Sequence, residues 1–356
     1  MTLSNKNKRN IKSILIFTGI IALGSAVNAY MEHGFEISWI LYDVLIGITF
    51  GLIIGLTEIY FFERKFRRVN FTILLIIRTV FYVIIAALII ILIAASDFGE
   101  STDKILHDAM HDKNIRGILE SEDFNEIILY TVVLSFIINF IRQINHLLGQ
   151  RVLLNYAAGK YHSPIEEDLI VMFLDLKSST TIAEKLGLIK NHRFLDDFFY
   201  DLTDPILESK CRIYQYVGDE IVIVWRIKDG VKNLNCINLF WDIVDEIDSK
   251  KDIYLEKYGV YPEFKAGIHS GKVITGEIGY IKKDIVYHGD TMNTTSRIQC
   301  ECNTHSKKLL ISGELLDKLK INSKFKVEEI GSILLRGKEE GIDLYSIEKF
   351  EKSKKN

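Results

Sequence analysis

Two aspartates define the chemistry this sequence can do. Asp175 closes a short apolar run, Leu169–Leu174, in "DLIVMFLDLKSST", and Asp219 follows a glycine in "YQYVGDEIVIVW". The second stretch reads as a hairpin between strands rich in β-branched residues, with Asp219 at its tip. Between them "NHRFLDDFFYDLTDPILESK" reads as a helix. A strand–helix–hairpin order lets the first strand and the hairpin lie side by side. Both carboxylates then converge, with the backbone carbonyl of Leu176 between them. Hard oxygen ligands with open positions suit Mg2+ or Mn2+. Two such ions in one site suit phosphoryl transfer, one activating the attacking oxygen and one holding the leaving phosphates. A lone Asp at a strand end is commonly a helix cap, and the Ser178–Thr181 run is expected to cap the next helix. The second carboxylate lifts Asp175 above that reading; Glu220 beside it is a hairpin-tip charge or an outer partner.

A carboxylate on such a turn serves two kinds of enzyme. One joins two GTP molecules and carries a Gly-Gly-Asp-Glu-Phe turn; the other closes one nucleoside triphosphate on itself. The segment "FKAGIHSGKVITGEIGYIKKDIVYHGDTMNTTSRIQ" separates them. It is expected to form a strand (Phe264–His269), a Gly-rich turn, a second strand (Val273–Ile278) and a helix capped by Asp290. Asn293 and Arg297 are four apart and share one helix face, where an amide and a guanidinium can hold a ribose and a phosphoryl group. The dinucleotide-forming enzymes need no such helix, and Val217 stands where their second glycine would be.

With these blocks in order, joined by "LRGKEEGIDLYSI" near the end, residues 168–347 resemble a class III nucleotidyl cyclase. The resemblance implies an α/β fold, a ferredoxin-like sandwich, working only as a homodimer with sites between protomers. It implies that Asp175, Leu176 and Asp219 hold two Mg2+ or Mn2+ ions per site. Asn293 matches the residue that orients the ribose, and Arg297 the one that stabilises the transition state. Arg336, with Lys338 close by, matches a triphosphate contact. Metal residues come from one protomer, and Asn293 and Arg297 from the other.

Base selection departs from the family. Adenylate cyclases typically have Lys where this chain has Gln215, and Asp or Thr where it has Val286; guanylate cyclases have Glu and Cys. Gln215 can face either purine edge, whereas Val286 reads no hydrogen bond. Tyr287 and His288 are neighbours that strand alternation sends to different faces. ATP is the expected substrate, with GTP, or a catalytically silent nucleotide-sensing membrane receptor, as alternatives.

The elements that must carry this site occupy only part of the chain. Of 356 residues, 48% are hydrophobic and 26% charged, and the apolar ones are concentrated before about residue 145. Four stretches there, near 13–30, 39–62, 71–95 and 127–144, are long enough to cross a bilayer. Lys6, Lys8, Arg9 and Lys12, then "ERKFRRVN", then Arg142 and Arg151 flank one side, and the other connectors are acidic. Positive charge stays inside, so the expectation is a multi-pass protein of the cell (inner) membrane with both termini and the catalytic domain cytoplasmic. A Val-Asn-Ala run could instead end a cleavable leader, which would not change the side on which the C-terminal half lies. The resulting division is 1–145, an all-α transmembrane domain; 146–165, a helical signalling linker; and 166–350, the catalytic domain. Leu147, Leu148, Val152, Leu153 and Tyr156 in the linker follow an amphipathic spacing suited either to pairing with a second copy or to a surface helix on the catalytic domain. Glu58 and Arg78 are expected either to pair across adjacent helices or, for Glu58, to snorkel to the headgroups. The net charge of −3 offers no basic field for nucleic acid. Cys211, Cys236, Cys300 and Cys302 form no CxxC pair and read as reduced thiols.

Overall fold

The computed structural model describes residues 5–62, 66, 68–97, 122–149, 155–156, 158–337 and 339–350. The chain divides near Leu154 into two compact units.

The first unit contains α1 (Asn5–His33), α2 (Ile37–Thr57, continued by a π-helical turn over Glu58–Phe62), α3 (Phe71–Asp97) and α4 (Glu122–Leu148). Each has a segment long and apolar enough to cross a membrane: Asn10–Met31, Ile37–Phe62, Phe71–Ile89 and Phe124–Asn145. Small residues let two of these helices approach closely. A Cβ on Gly51 would stand 2.6 Å from the Cα of Thr18, and one on Gly55 would stand 3.2 Å from that of Ile14. The expected Glu58–Arg78 pair is present, with Nη2 to Oε1 at 2.7 Å, and Arg142 joins the same oxygen at 3.0 Å. Tyr82 donates its hydroxyl to the other carboxylate oxygen. Glu58 is fully buried, so it does not snorkel. The acidic connector before α4 lies outside the described residues, as do Val152 and Leu153 of the linker.

The second unit is built on β1 (Ile165–Leu176). It is followed by α5 (Ser179–Leu186), α6 (Leu188–Asp201), α7 (Thr203–Glu208), β2 (Arg212–Val217), β3 (Glu220–Arg226), α8 (Asn235–Ser249) and α9 (Lys251–Tyr258). After these come β4 (Phe264–Ile278), β5 (Asp284–His288), α10 (Asp290–Thr304), β6 (Leu309–Ser312), β7 (Phe325–Ile333) and β8 (Ile342–Lys349). The sheet order is β2-β3-β1-β4-β6-β8-β7, with β5 paired to the far end of β4. The β1-helix-β2-β3-helix-β4 core in the order 2-3-1-4 is the expected ferredoxin-like arrangement.

Strand alternation divides β1 between two layers. Ile170, Met172 and Leu174 pack with Phe194 and Phe198 of α6 and with Ile237, Phe240, Ile243 and Ile247 of α8. The apolar spacing of α8, three or four residues apart, places that stripe on the sheet. Phe240→Ala would empty its centre, at about 3–5 kcal/mol. Leu169 and Val171 lie on the other face with Val222, Val224, Val273 and Met292.

Four local expectations are corrected. The segment 264–278 is one continuous strand, with no Gly-rich turn. Its glycines serve helix packing instead: a Cβ on Gly267 would stand 2.4 Å from the amide nitrogen of Gln299, and one on Gly271 2.5 Å from Oγ1 of Thr291. The stretch 191–210 is split between α6 and α7. Ser178 precedes α5 in the left-handed region (φ 56°) and makes no side-chain cap bond. Gly289, not Asp290, is the residue before α10, and Asp290 is its first helical residue.

Candidate active site

Asp175 is the penultimate residue of β1 and lies on the face of Val171 and Phe173, the open face opposite α6 and α8, where α10 packs on β4 and β1. Its register partners are Glu220 on β3 and Lys265 on β4. Asp219 occupies the two-residue turn between β2 and β3, where Gly218 takes φ 63°. The turn brings its carboxyl within hydrogen-bonding reach of Asp175. Lys265, nearly buried, places Nζ 3.5 Å from Oδ2 of Asp175. Gln299 on α10 donates Nε2 to the same oxygen at 3.0 Å.

Three carboxylates around one lysine are an unbalanced set. Burial, then Asp219, pushes Asp175 up to about 6. Burial, then Asp175 and Asp219, pushes Glu220 up to about 7. Excess negative charge of this kind favours a divalent cation. Among the described residues no three acidic, His or Cys side chains form a metal cage. Two aspartates and the strand-end carbonyl of Leu176 nonetheless fit Mg2+, which binds through one or two carboxylates and takes its other oxygens from water and phosphates. Beside this cluster, a cavity of about 420 Å³ is lined by Lys177, Ser178, Lys265, Cys302, Asn303 and Ser306. Two amines and two hydroxyls there suit phosphate oxygens.

Helix α10 has two sides. Thr291, Thr295, Gln299 and Cys302 are buried against the sheet, and Thr291 donates its hydroxyl to the Lys272 carbonyl at 2.7 Å. Asn293 is exposed and Arg297 half-buried on another side. Gln299 lies two residues past Arg297, about 200° around the helix. The structure therefore gathers Asp175, Asp219, Glu220, Lys265 and Gln299, and turns Asn293 and Arg297 away from them within one chain. A Cβ on Gly337 would stand 3.4 Å from Nη2 of Arg297, which places exposed Arg336 one residue from that contact. Lys338 lies outside the described residues.

Gln215 is exposed and pairs with Val222, so it shares the open face with Asp175. Val286 pairs with Gly276 and is half-buried. Tyr287 places its ring 4.5 Å from that of Tyr214, while His288 is exposed. Sequence reasoning missed Lys265 and Gln299. Only the β1–β4 register and the sheet-facing side of α10 bring them to Asp175.

Residues 162–349 match the adenylate and guanylate cyclase catalytic domain. Adenylate cyclase 2 of Rhizobium meliloti (strain 1021) is 32% identical over 221 residues, 62% of this chain and 61% of that protein. An adenylate cyclase of Anabaena cylindrica is 26% identical over 183 residues, 50% of this chain and 36% of its own length. The chain thus spans at most about three fifths of these relatives. A solved structure of a bacterial light-regulated adenylyl cyclase superposes with TM-score 0.54 at 18% identity, covering 64% of this chain and 66% of its own, which shows the shared fold. The chain belongs to the family of adenylate and guanylate cyclase catalytic domains.

Proposed function

We propose that the protein is a membrane-anchored adenylate cyclase, converting ATP to 3′,5′-cyclic AMP and pyrophosphate as a homodimer. The observation that carries this reading is the two-sided α10, which holds Asp175 through Gln299 and turns Asn293 and Arg297 outward. One chain thus presents two half-sites that complement each other only across a dimer. Two copies related by a two-fold axis would form two complete sites.

Asp175, Asp219 and the Leu176 carbonyl would hold two Mg2+ or Mn2+ ions, which when bound neutralise phosphate oxygens and acidify the 3′-hydroxyl. Asn293 orients the ribose so that its 3′-oxygen lies in line with the α-phosphorus. The 3′-hydroxyl proton passes to water, the new bond joins O3′ to that phosphorus, the bond to the bridging oxygen breaks, and pyrophosphate leaves. Arg297 stabilises the charge that develops on the α-phosphoryl oxygens. Lys265, Arg336 and Lys338 supply cations for the β- and γ-phosphates. Gln215 and Val286 face the base.

The four apolar helices among the described residues support a bilayer anchor. The distribution of Lys and Arg between connectors supports a cytoplasmic catalytic domain with both termini on the same side.

The test is direct. The full-length chain, purified in detergent with Mn2+, is given ATP or GTP separately and the products are resolved by chromatography. Cyclic AMP from ATP is the expected result. Product from GTP alone would make it a guanylate cyclase, and product from neither would leave a nucleotide-binding receptor.

A further inference from the structure

We propose that Tyr214 is a positioning residue for base selection, acting through an aromatic arch with Tyr287 that sets the gap between Gln215 and Val286. The inference rests on the cyclase reading above.

In the sheet, β2 is separated from β5 by β3, β1 and β4. At about 4.8 Å per strand, a flat sheet would hold them roughly 19 Å apart. Yet the rings of Tyr214 and Tyr287 lie 4.5 Å apart, tilted by 36°. The backbone N–H of Tyr287 also donates to the Tyr214 hydroxyl at 3.1 Å. This contact requires β5 to curl back over the open face. Both rings pack on the cluster of Leu169, Val171, Val222 and Val224 beneath. The arch is therefore held by a hydrogen bond and an apolar floor together.

The pairing of β2 with β3 explains why Tyr214 is available. Arg212 pairs with Val224 and Ile213 with Ile223, and the ladder resumes with Gln215 opposite Val222. Tyr214 is the extra residue of a bulge. Unbroken alternation would place Gln215 on the same layer as Ile221, toward the helices. The bulge leaves both Tyr214 and Gln215 on the open face, a re-aiming of side chains that bulges commonly produce beside sites. Tyr216 then faces the helical layer, where its ring meets Phe199 at 4.7 Å.

Each base-facing candidate is thus the immediate neighbour of one foot of the arch: Gln215 follows Tyr214, and Val286 precedes Tyr287. Val286 offers no hydrogen bond, and the Gln215 amide can present either its donor or its acceptor to a purine. Neither side chain selects the base by charge or pattern. Alternation turns Val286 to the side of β5 opposite Tyr287, so selection then depends on where the arch holds the two strands that carry Gln215 and Val286.

The experiment compares kcat/KM for ATP and for GTP, with Mn2+, in the full-length protein and three variants. Tyr214→Phe keeps the ring and removes the acceptor for the Tyr287 amide. Tyr214→Ala removes both, and Tyr216→Phe is the control on the opposite face of the same strand. Tyr214→Phe should shift the ATP-to-GTP ratio about fivefold, the worth of one neutral hydrogen bond, chiefly through KM. Tyr214→Ala should shift it further, and Tyr216→Phe should leave it unchanged. Stabilisation by Mn2+ in thermal melts reports the Asp175–Asp219 region and should be unaltered in Tyr214→Phe. An unchanged ratio in Tyr214→Phe and Tyr214→Ala, or equal losses with both substrates, overturns the arch as a selector while the cyclase reading stands. Failure of the unsubstituted protein to cyclise either nucleotide overturns both.

Discussion

Gln299 donates a hydrogen bond to Asp175 across 3.0 Å, from the sheet-facing side of the helix whose other side carries Arg297. The helix that offers a guanidinium outward thus steadies, in the same chain, the carboxylate at the opposite end of the reaction. A small shift of α10 would disturb both halves of the proposed chemistry. The backbone is built to hold that helix close: at Gly267 even a methyl group would collide with the Gln299 amide.

Complementation tests whether the two halves come from different chains. Asp175→Ala and Arg297→Ala should each be nearly inactive alone, the second by about 100- to 1,000-fold if Arg297 acts as a stabiliser of developing charge. Co-expressed, they should recover activity, because a mixed dimer keeps one site free of both substitutions. Random pairing limits the recovery to about a quarter of the unsubstituted turnover. No recovery, with mixed dimers demonstrated by differential tagging, would refute the shared site.

Replacing Gln299 with Leu should leave the fold intact and release Asp175 from one of its orienting bonds. Loss of such an outer partner typically weakens metal affinity by about 10- to 100-fold. The Mn2+ concentration for half-maximal cyclase activity should rise accordingly, with turnover at saturating Mn2+ much less affected. Titration of activity against Mn2+ reads both quantities.

The elements carrying Asp175 and Asp219 were legible because their signals are local. A buried apolar run ends at Asp175, and Gly218-Asp219 interrupts two β-branched runs. Asn293 and Arg297 were legible because four-residue spacing fixes a helix face. Lys265 and Gln299 were not, since each reaches Asp175 only through pairing or packing with a segment distant in sequence. The glycines of β4 misled for a related reason. Glycine marks both turns and close approaches, and only the position of α10 separates the two. Tyr214 was hidden by the bulge, since no pattern in "RIYQYV" marks where alternation slips.

The raised carboxyls predict a pH dependence of definite sign. Asp175, at about 6, and Glu220, at about 7, bind protons in the folded metal-free protein at pH values where the unfolded chain has released them. Their contribution to stability is therefore complete at acid pH and is lost as pH rises through about 6 to 7. A bound cation reverses the preference by favouring the ionised form. The gain in melting temperature from Mg2+ should grow between pH 5.5 and pH 7.5. Asp175→Asn should flatten that growth. A gain independent of pH would mean that these carboxyls do not hold the ion.

The membrane-unit cluster predicts an asymmetry between single and double substitutions. Glu58 is fully buried and accepts from Tyr82 while paired with Arg78 and Arg142, so the carboxylate ties α2 to α3 and α4. Removing it in Glu58→Leu takes away the buried carboxylate oxygen that Arg78 and Arg142 share. Breaking a buried pair from one side typically costs about 3–5 kcal/mol. Glu58→Leu should therefore lower expression and melting temperature sharply. Adding Arg78→Leu removes the other member of the Glu58–Arg78 pair and should recover part of the loss, since replacing both partners of a buried pair with apolar residues is often close to neutral. Arg142 remains in the double variant, so recovery should be partial. Equal melting temperatures for the single and double variants would show that Glu58 and Arg78 do not act as a pair.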